Sequence, residues 1–158
     1  MGDVLGKDSS KLDWFIKLLV VTLYSAHIFL TGRWDWLSYY LRFVLVIVFV
    51  VAAYQSFIRA KPLPLYPPHK FKYYLNLGVN TLVAVLFLAI LSSYIPQGYA
   101  FNGESVQLSF PLKNGTYYVG QGGNSTAINY HNNRPAQQYA LDIVKLNVLR
   151  ARANGLYP

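Results

Sequence analysis

The sequence predicts an α-helical membrane protein with three transmembrane helices, followed by a partial antiparallel β segment. Three observations predict it. Hydrophobic residues make up 54% of the 158 positions and charged residues only 13%. The apolar residues are concentrated in nearly continuous runs over 12–95, whereas 96–158 is polar and rich in Gly, Asn and Gln. Beyond residue 105 the pattern changes to the two-residue alternation of half-buried strands. The organisation expected is therefore a three-span membrane anchor over 1–95 and a separate β-rich segment over 96–158, with the boundary near Pro96.

The spans are Trp14–Thr31, Tyr39–Phe57 and Leu75–Tyr94. At roughly 18–20 residues each, and about 1.5 Å per residue, they match the ~30 Å hydrocarbon core of a bilayer. Leu82–Leu91 carries no charge, and Phe43–Val51 contains no polar residue at all. A buried helix of a soluble bundle normally keeps a polar face, and Phe43–Ala53 has none. Lys17 lies inside the first span, near enough to its end to reach the interface. Asp3, Asp8 and Asp13 dilute the basic region of a signal peptide and no A-x-A site follows, so the first span reads as a retained helix.

Loop charges set the expected direction. Arg59, Lys61, Lys70 and Lys72 fill the loop between the second and third spans without an acid, and Lys7, Lys11 and Lys17 lie near the N-terminus. The first loop offers Arg33 and Asp35, with Arg42 just inside the next span. The positive-inside rule places the N-terminus and the second loop in the cytoplasm and residues 96–158 outside or in the periplasm. Trp34, Trp36, Tyr39 and Tyr40 then form the outer aromatic belt, and Trp14, Tyr73 and Tyr74 the inner one. Pro62, Pro64, Pro67 and Pro68 read as a stiff span connector. The net charge of +8 is accounted for by these flanks, so no nucleic-acid partner is expected; the lipid bilayer is.

Polar residues within the spans are few. His27 has no acidic partner in sequence and reads as a helix–helix hydrogen bonder rather than a proton relay. Asn76 and Asn80, four apart on the third span, share one helix face and read as inter-helical glue.

In the C-terminal segment Val106, Leu108 and Phe110 alternate with polar residues. Asn114–Gly115 reads as a tight hairpin turn into Thr116–Val119. Ala127–Tyr130 and Tyr139–Val144 are further strand candidates. Gly120, Gln121, Gly122 and Gly123 form a glycine-rich bend, a poor phosphate loop because no helix follows. The chain has no cysteine, which excludes thiolate chemistry, disulfides and Cys-ligated zinc, and suits a bacterial envelope protein.

Four segments together resemble the lysostaphin-like zinc metallopeptidases, the β-sheet peptidoglycan endopeptidases of bacterial envelopes. They are Phe110–Leu112, Tyr118–Gly123, Asn129–His131 and Gln138–Ile143. The resemblance spans roughly 108–158, the front part of that domain. It implies His131 and Asp142 as zinc ligands, with a water activated by the metal. The separation of these two residues exceeds the family's H-x-x-x-D, as if 132–138 were an inserted loop. No H-x-H motif follows, and the other histidines are His27 and His69. A catalytic zinc needs about three protein ligands, so the zinc site is incomplete and no catalytic residue is assigned. The stretch Arg150–Pro158 reads as a loop leading to another strand, as expected of a peptidase domain represented by its front part.

Two other catalytic arrangements are weaker. Glu104 and Asp142 form a carboxylate pair by default. Ser105, Ser109 or Ser125 with His131 and Asp142 makes a triad on paper, but no G-x-S-x-G turn accompanies it. The functional expectation is a membrane-anchored, catalytically incomplete peptidoglycan endopeptidase whose partners include peptidoglycan. The alternative is a non-catalytic membrane protein whose external segment binds an envelope protein, for instance by β-augmentation.

Overall fold

A computed structural model describes residues 8–99, 107 and 109–152. It contains three long helices, α1 (Lys11–Thr31), α2 (Leu41–Ala60) and α3 (Phe71–Tyr99), and two strands, β1 (Thr116–Gln121) and β2 (Asp142–Leu146). All three helices are long and apolar enough to cross a membrane, and the chain is a multi-pass membrane protein with a small antiparallel β segment. Two compact units emerge, one comprising 1–30 with 45–91, the other 31–44 with 92–158.

α1 and α3 begin before their apolar runs, at Lys11 and Phe71, and α2 begins inside its run, at Leu41, because hydrogen bonding, not hydropathy, decides where a helix ends. The Ser10 hydroxyl caps α1 by accepting from the Asp13 amide at 3.0 Å, while the Asp13 carboxylate reaches back to the Ser9 amide at 2.9 Å. This is a capping box displaced by one residue. Two further amides at this end, of Lys11 and Leu12, donate to the carbonyls of Pro64 and Leu65 at 2.8 and 3.2 Å. The Pro-rich connector between α2 and α3 is thereby fixed to the start of α1.

Asp13 is buried (3% exposed) and is the hub of this end. It pairs with Lys17 at 3.0 Å and accepts from the Asn76 amide of α3 at 3.2 Å. Asn80 in turn donates to the Asn76 backbone and side-chain oxygens at 2.8 and 3.2 Å. The amide face of α3 thus joins it to α1, as inter-helical polar groups do in lipid. Trp14 of α1 donates to the Ser56 hydroxyl of α2 at 3.1 Å and packs on Phe57. His27 lies against Phe87 of α3, and His69 against Tyr74. Pro96 lies within α3.

In the second unit β1 and β2 pair antiparallel, with Thr116 opposite Leu146, Val119 opposite Ile143, Gln121 opposite Asp142, and a register shift between Val119 and Gln121. The hairpin turn expected at Asn114–Gly115 is not formed: the chain bends there, with Asn114 at φ 57°, and β1 pairs with β2 rather than with the segment before it. Gln107, Ser109 and Phe110 are not strand, and Val106 and Leu108 lie outside the described residues.

The strand expected over Ala127–Tyr130 is instead a turn running into a 3₁₀ helix, Tyr130–Asn133. The reason is Asn129, almost fully buried, whose amide nitrogen lies 3.1, 3.3 and 3.2 Å from the carbonyls of Gly123, Gln138 and Ala140. Its amide oxygen accepts from the His131 backbone at 3.2 Å. One side chain thus does what a ladder would have done for this segment.

The same unit holds a buried ion triad. Asp35, in the 3₁₀ turn Trp34–Trp36, has no exposed surface. Arg33 grips it with Nε and Nη2 at 2.9 and 3.0 Å, and Arg152 Nε lies 2.6 Å away. The Arg152 amide also donates to the Asp35 carbonyl at 2.8 Å, and its guanidinium covers the Trp36 ring at 4.8 Å. Around this triad Tyr39 donates to the Arg150 carbonyl, and the hydroxyls of Ser38 and Tyr118 donate to the carbonyls of Leu149 and Gly32.

Candidate metal-ligand pair

His131 and Asp142 come together. His131 stands in the 3₁₀ turn that Asn129 anchors, and Asp142 opens β2. Their side chains approach with Nε2 3.0 Å from Oδ1. The imidazole is mostly buried, whereas the carboxylate keeps 45% of its surface, so the pair opens to solvent on the acidic side. Tyr130 stacks beside the imidazole with ring centres 4.0 Å apart. The Tyr130 amide donates to the Gln121 side chain at 3.1 Å, and Gln121 is the cross-strand neighbour of Asp142. The turn and the sheet thus hold the two side chains from opposite directions.

Two zinc ligands at about 2.0–2.1 Å from a tetrahedral metal lie roughly 3.3 Å apart. The 3.0 Å separation therefore suits either a shared metal or a direct hydrogen bond. Other features do not suit a working zinc centre. Among the described residues no group of three or more His, Cys, Asp or Glu side chains exists. A metal-bound histidine normally donates its other ring N–H to an acceptor, yet His131 Nδ1 is buried with no hydrogen-bond partner. His131 and Asp142 thus form a hydrogen-bonded pair, and among the described residues no third ligand side chain joins them.

The triad through Ser125 is not assembled. Ser125 Oγ is buried without a partner, as is His131 Nδ1, so these two atoms do not bond and no relay through Ser125 forms. Glu104 and Ser105 lie outside the described residues.

The glycine-rich bend has a packing role. A Cβ on Gly120 would stand 3.1 Å from Arg33 Nη2, pressing on the guanidinium that grips Asp35. Gly123 sits at φ +109°, and a Cβ there would collide with Ile128 Cδ1. These glycines admit the neighbouring side chains rather than a phosphate.

Electrostatics follow the ion triad. Burial pushes the Asp35 carboxyl up, but the hydrogen bonds and charges of Arg33 and Arg152 outweigh it and hold the group below the ordinary carboxylate range. Arg33 is raised, chiefly by its bonds to Asp35, with a smaller contribution from the Asp142 charge. Tyr118 is raised by burial and then by the Asp35 charge.

Sequence reasoning missed Asp35 and Asn129. Asp35 entered it only as a loop charge, and Asn129 only as part of a motif. The available signal was the Arg33-x-Asp35 spacing in a short loop, but its second cation, Arg152, is far away in sequence. Comparison with protein-family models, curated proteins and solved structures finds no match to this chain.

Proposed function

We propose that this protein is a membrane-anchored, zinc-metallopeptidase-like component of the bacterial envelope, with its N-terminus cytoplasmic and its C-terminal β segment outside. His131 and Asp142 are its contribution to a zinc site, and with these ligands alone it does not hydrolyse peptidoglycan. The observation that supports this reading is the convergence of the two residues, eleven apart in sequence, to 3.0 Å. A third ligand would come from another polypeptide segment. The resemblance of 108–158 to lysostaphin-like peptidases supplies the reaction class and the substrate, peptidoglycan cross-links.

The test uses the full chain in detergent. Zinc is titrated calorimetrically, and purified peptidoglycan is digested with and without zinc. Weak zinc binding, abolished in both His131→Ala and Asp142→Ala, with no peptide-bond cleavage, is the expected result. Zinc binding that survives both substitutions removes the pair from the site, and cleavage by the chain alone overturns its incompleteness.

A second reading has its own support. The sheet has only two strands among the described residues, and such a sheet is marginal alone. Apart from β2, β1 has no strand neighbour there. This favours a segment that receives a strand from an envelope protein partner. Co-purification of one defined envelope protein, lost when Val119→Pro disrupts β1, is the outcome this reading requires.

A further inference from the structure

The α1–α2 seam carries a furrow that the zinc-site reading does not use. Two adjoining grooves share Phe49, one of about 240 Å³ and one of about 210 Å³. On α1 their lining residues fall at 14, 17, 18, 21, 22, 25, 26 and 29, and on α2 at 45, 46, 49, 52, 53 and 56. Both sets follow the three- and four-residue steps of a single helix face, so the grooves form one continuous channel open to the side. From Lys17 to Phe29 it runs about 18 Å at 1.5 Å per residue. That is close to one leaflet, half of a ~30 Å hydrocarbon core. Its walls are apolar, with Leu18 and Val21 facing Phe49, Ala52 and Ala53.

The end of the furrow near Trp14, Lys17 and Ser56 adjoins the α2–α3 connector. Lys11, Arg59, Lys61, Lys70 and Lys72 are exposed there and form no ion pair with a described residue, whereas Lys17 is committed to Asp8 and Asp13. Lys61 and Lys72 lie over the rings of Phe57 and Tyr73. Leu65, Tyr66 and Phe71 stand exposed at 59, 66 and 82%, suited to the headgroup region, where aromatic side chains sit well. The two hydrogen bonds donated by α1 backbone amides hold this connector in place, so the cations at its ends are positioned in advance.

We infer that this furrow and its cationic rim bind one anionic phospholipid, an acyl chain lying between α1 and α2 and the headgroup phosphate resting on the connector lysines and arginine. Charge complementarity selects the occupant. A neutral lipid fills the furrow but leaves the rim unanswered, and an apolar helix from another chain offers the five rim cations no counter-charge.

The experiment is native mass spectrometry of the full chain in mild detergent with equal amounts of phosphatidylglycerol and phosphatidylcholine. Each basic side chain near a membrane surface favours an anionic lipid about fivefold, and partial screening leaves an expected preference of about tenfold for one retained phosphatidylglycerol. Lys61→Gln/Lys70→Gln/Lys72→Gln brings the preference to within about twofold while a lipid is still retained. Ala52→Leu/Ala53→Leu fills the furrow and loses both lipids. Because the leucine variant could fold poorly, a second measurement leaves the furrow open. The protein has no cysteine, so Val50→Cys, exposed and next to the furrow-lining Phe49 without lining the furrow itself, takes a single bimane, whose emission brominated phosphatidylglycerol quenches more than brominated phosphatidylcholine does. Equal retention of the two lipids by the parent chain, or equal quenching by both, overturns the proposal. So does a dimer in the spectra that the leucine variant alone abolishes, since the furrow would then seat a second copy.

Discussion

Replacing Asp35 with asparagine keeps the shape of the side chain and removes the charge that two guanidiniums share. Three charge-assisted hydrogen bonds, two from Arg33 and one from Arg152, are weakened together. Breaking a buried ion pair by removing one partner costs about 3–5 kcal/mol. Here the arginine side chains keep 38 and 26% of their surface, so water can partly re-solvate the orphaned charges. The loss should fall at the lower end, about 3 kcal/mol. With a urea slope of about 2 kcal/mol/M, the unfolding midpoint of the C-terminal unit falls by about 1.5 M. Trp34 and Trp36 flank Asp35, and Trp36 lies under Arg152, so tryptophan emission in a Trp14→Phe background reports this unit. Arg33→Gln and Arg152→Gln should each cost less than Asp35→Asn, and the double-mutant cycle between them should show coupling through the shared carboxylate. A midpoint for Asp35→Asn within about 0.3 M of its parent would refute the claim that the triad holds the unit together.

Three further outcomes follow from the same geometry. The folded chain holds the Asp35 carboxyl below its ordinary value, so its stabilisation is complete above about pH 4 and is lost as pH falls through and below that value. The acid-induced change in Trp34 and Trp36 emission should lose this component in Asp35→Asn. Asn129→Ala orphans three carbonyls and the His131 amide, costing about 3 kcal/mol locally. The His131 amide should then exchange with deuterium about 100-fold faster, and unchanged protection contradicts the anchoring role. Gly123→Ala forces a side chain into φ +109° and against Ile128. It should destabilise the turn by about 1–3 kcal/mol, read as protease cutting between Gly122 and Leu141.

The spans were legible because a bilayer imposes length and apolarity that few other environments demand. Phe43–Ala53 and Leu82–Leu91 declare themselves without any knowledge of tertiary contacts. The amide face of Asn76 and Asn80 was legible from spacing alone, but its partner, Asp13, was not, since nothing local says that an acid in the first turn of α1 faces α3. Strand β1 was announced by its β-branched and aromatic residues. The strand expected at Ala127–Tyr130 was not formed, because Asn129 satisfies that segment's neighbours through its side chain. Such a substitution is invisible to a reading based on alternation. Asp35 shows the same limit: its burial depends on Arg152, which lies 117 residues away.

The pairing of His131 with Asp142 bears most directly on the functional reading, and the imidazole nitrogens report it. With ¹⁵N-labelled histidine in the full chain, zinc should shift the His131 Nε2 resonance in a weak, saturable titration. The shift should disappear in Asp142→Ala, while the His27 and His69 signals stay still. The affinity should lie far below the ~10–16 kcal/mol of complete structural zinc sites. A His131 resonance indifferent to zinc, or one whose response survives Asp142→Ala, contradicts the account.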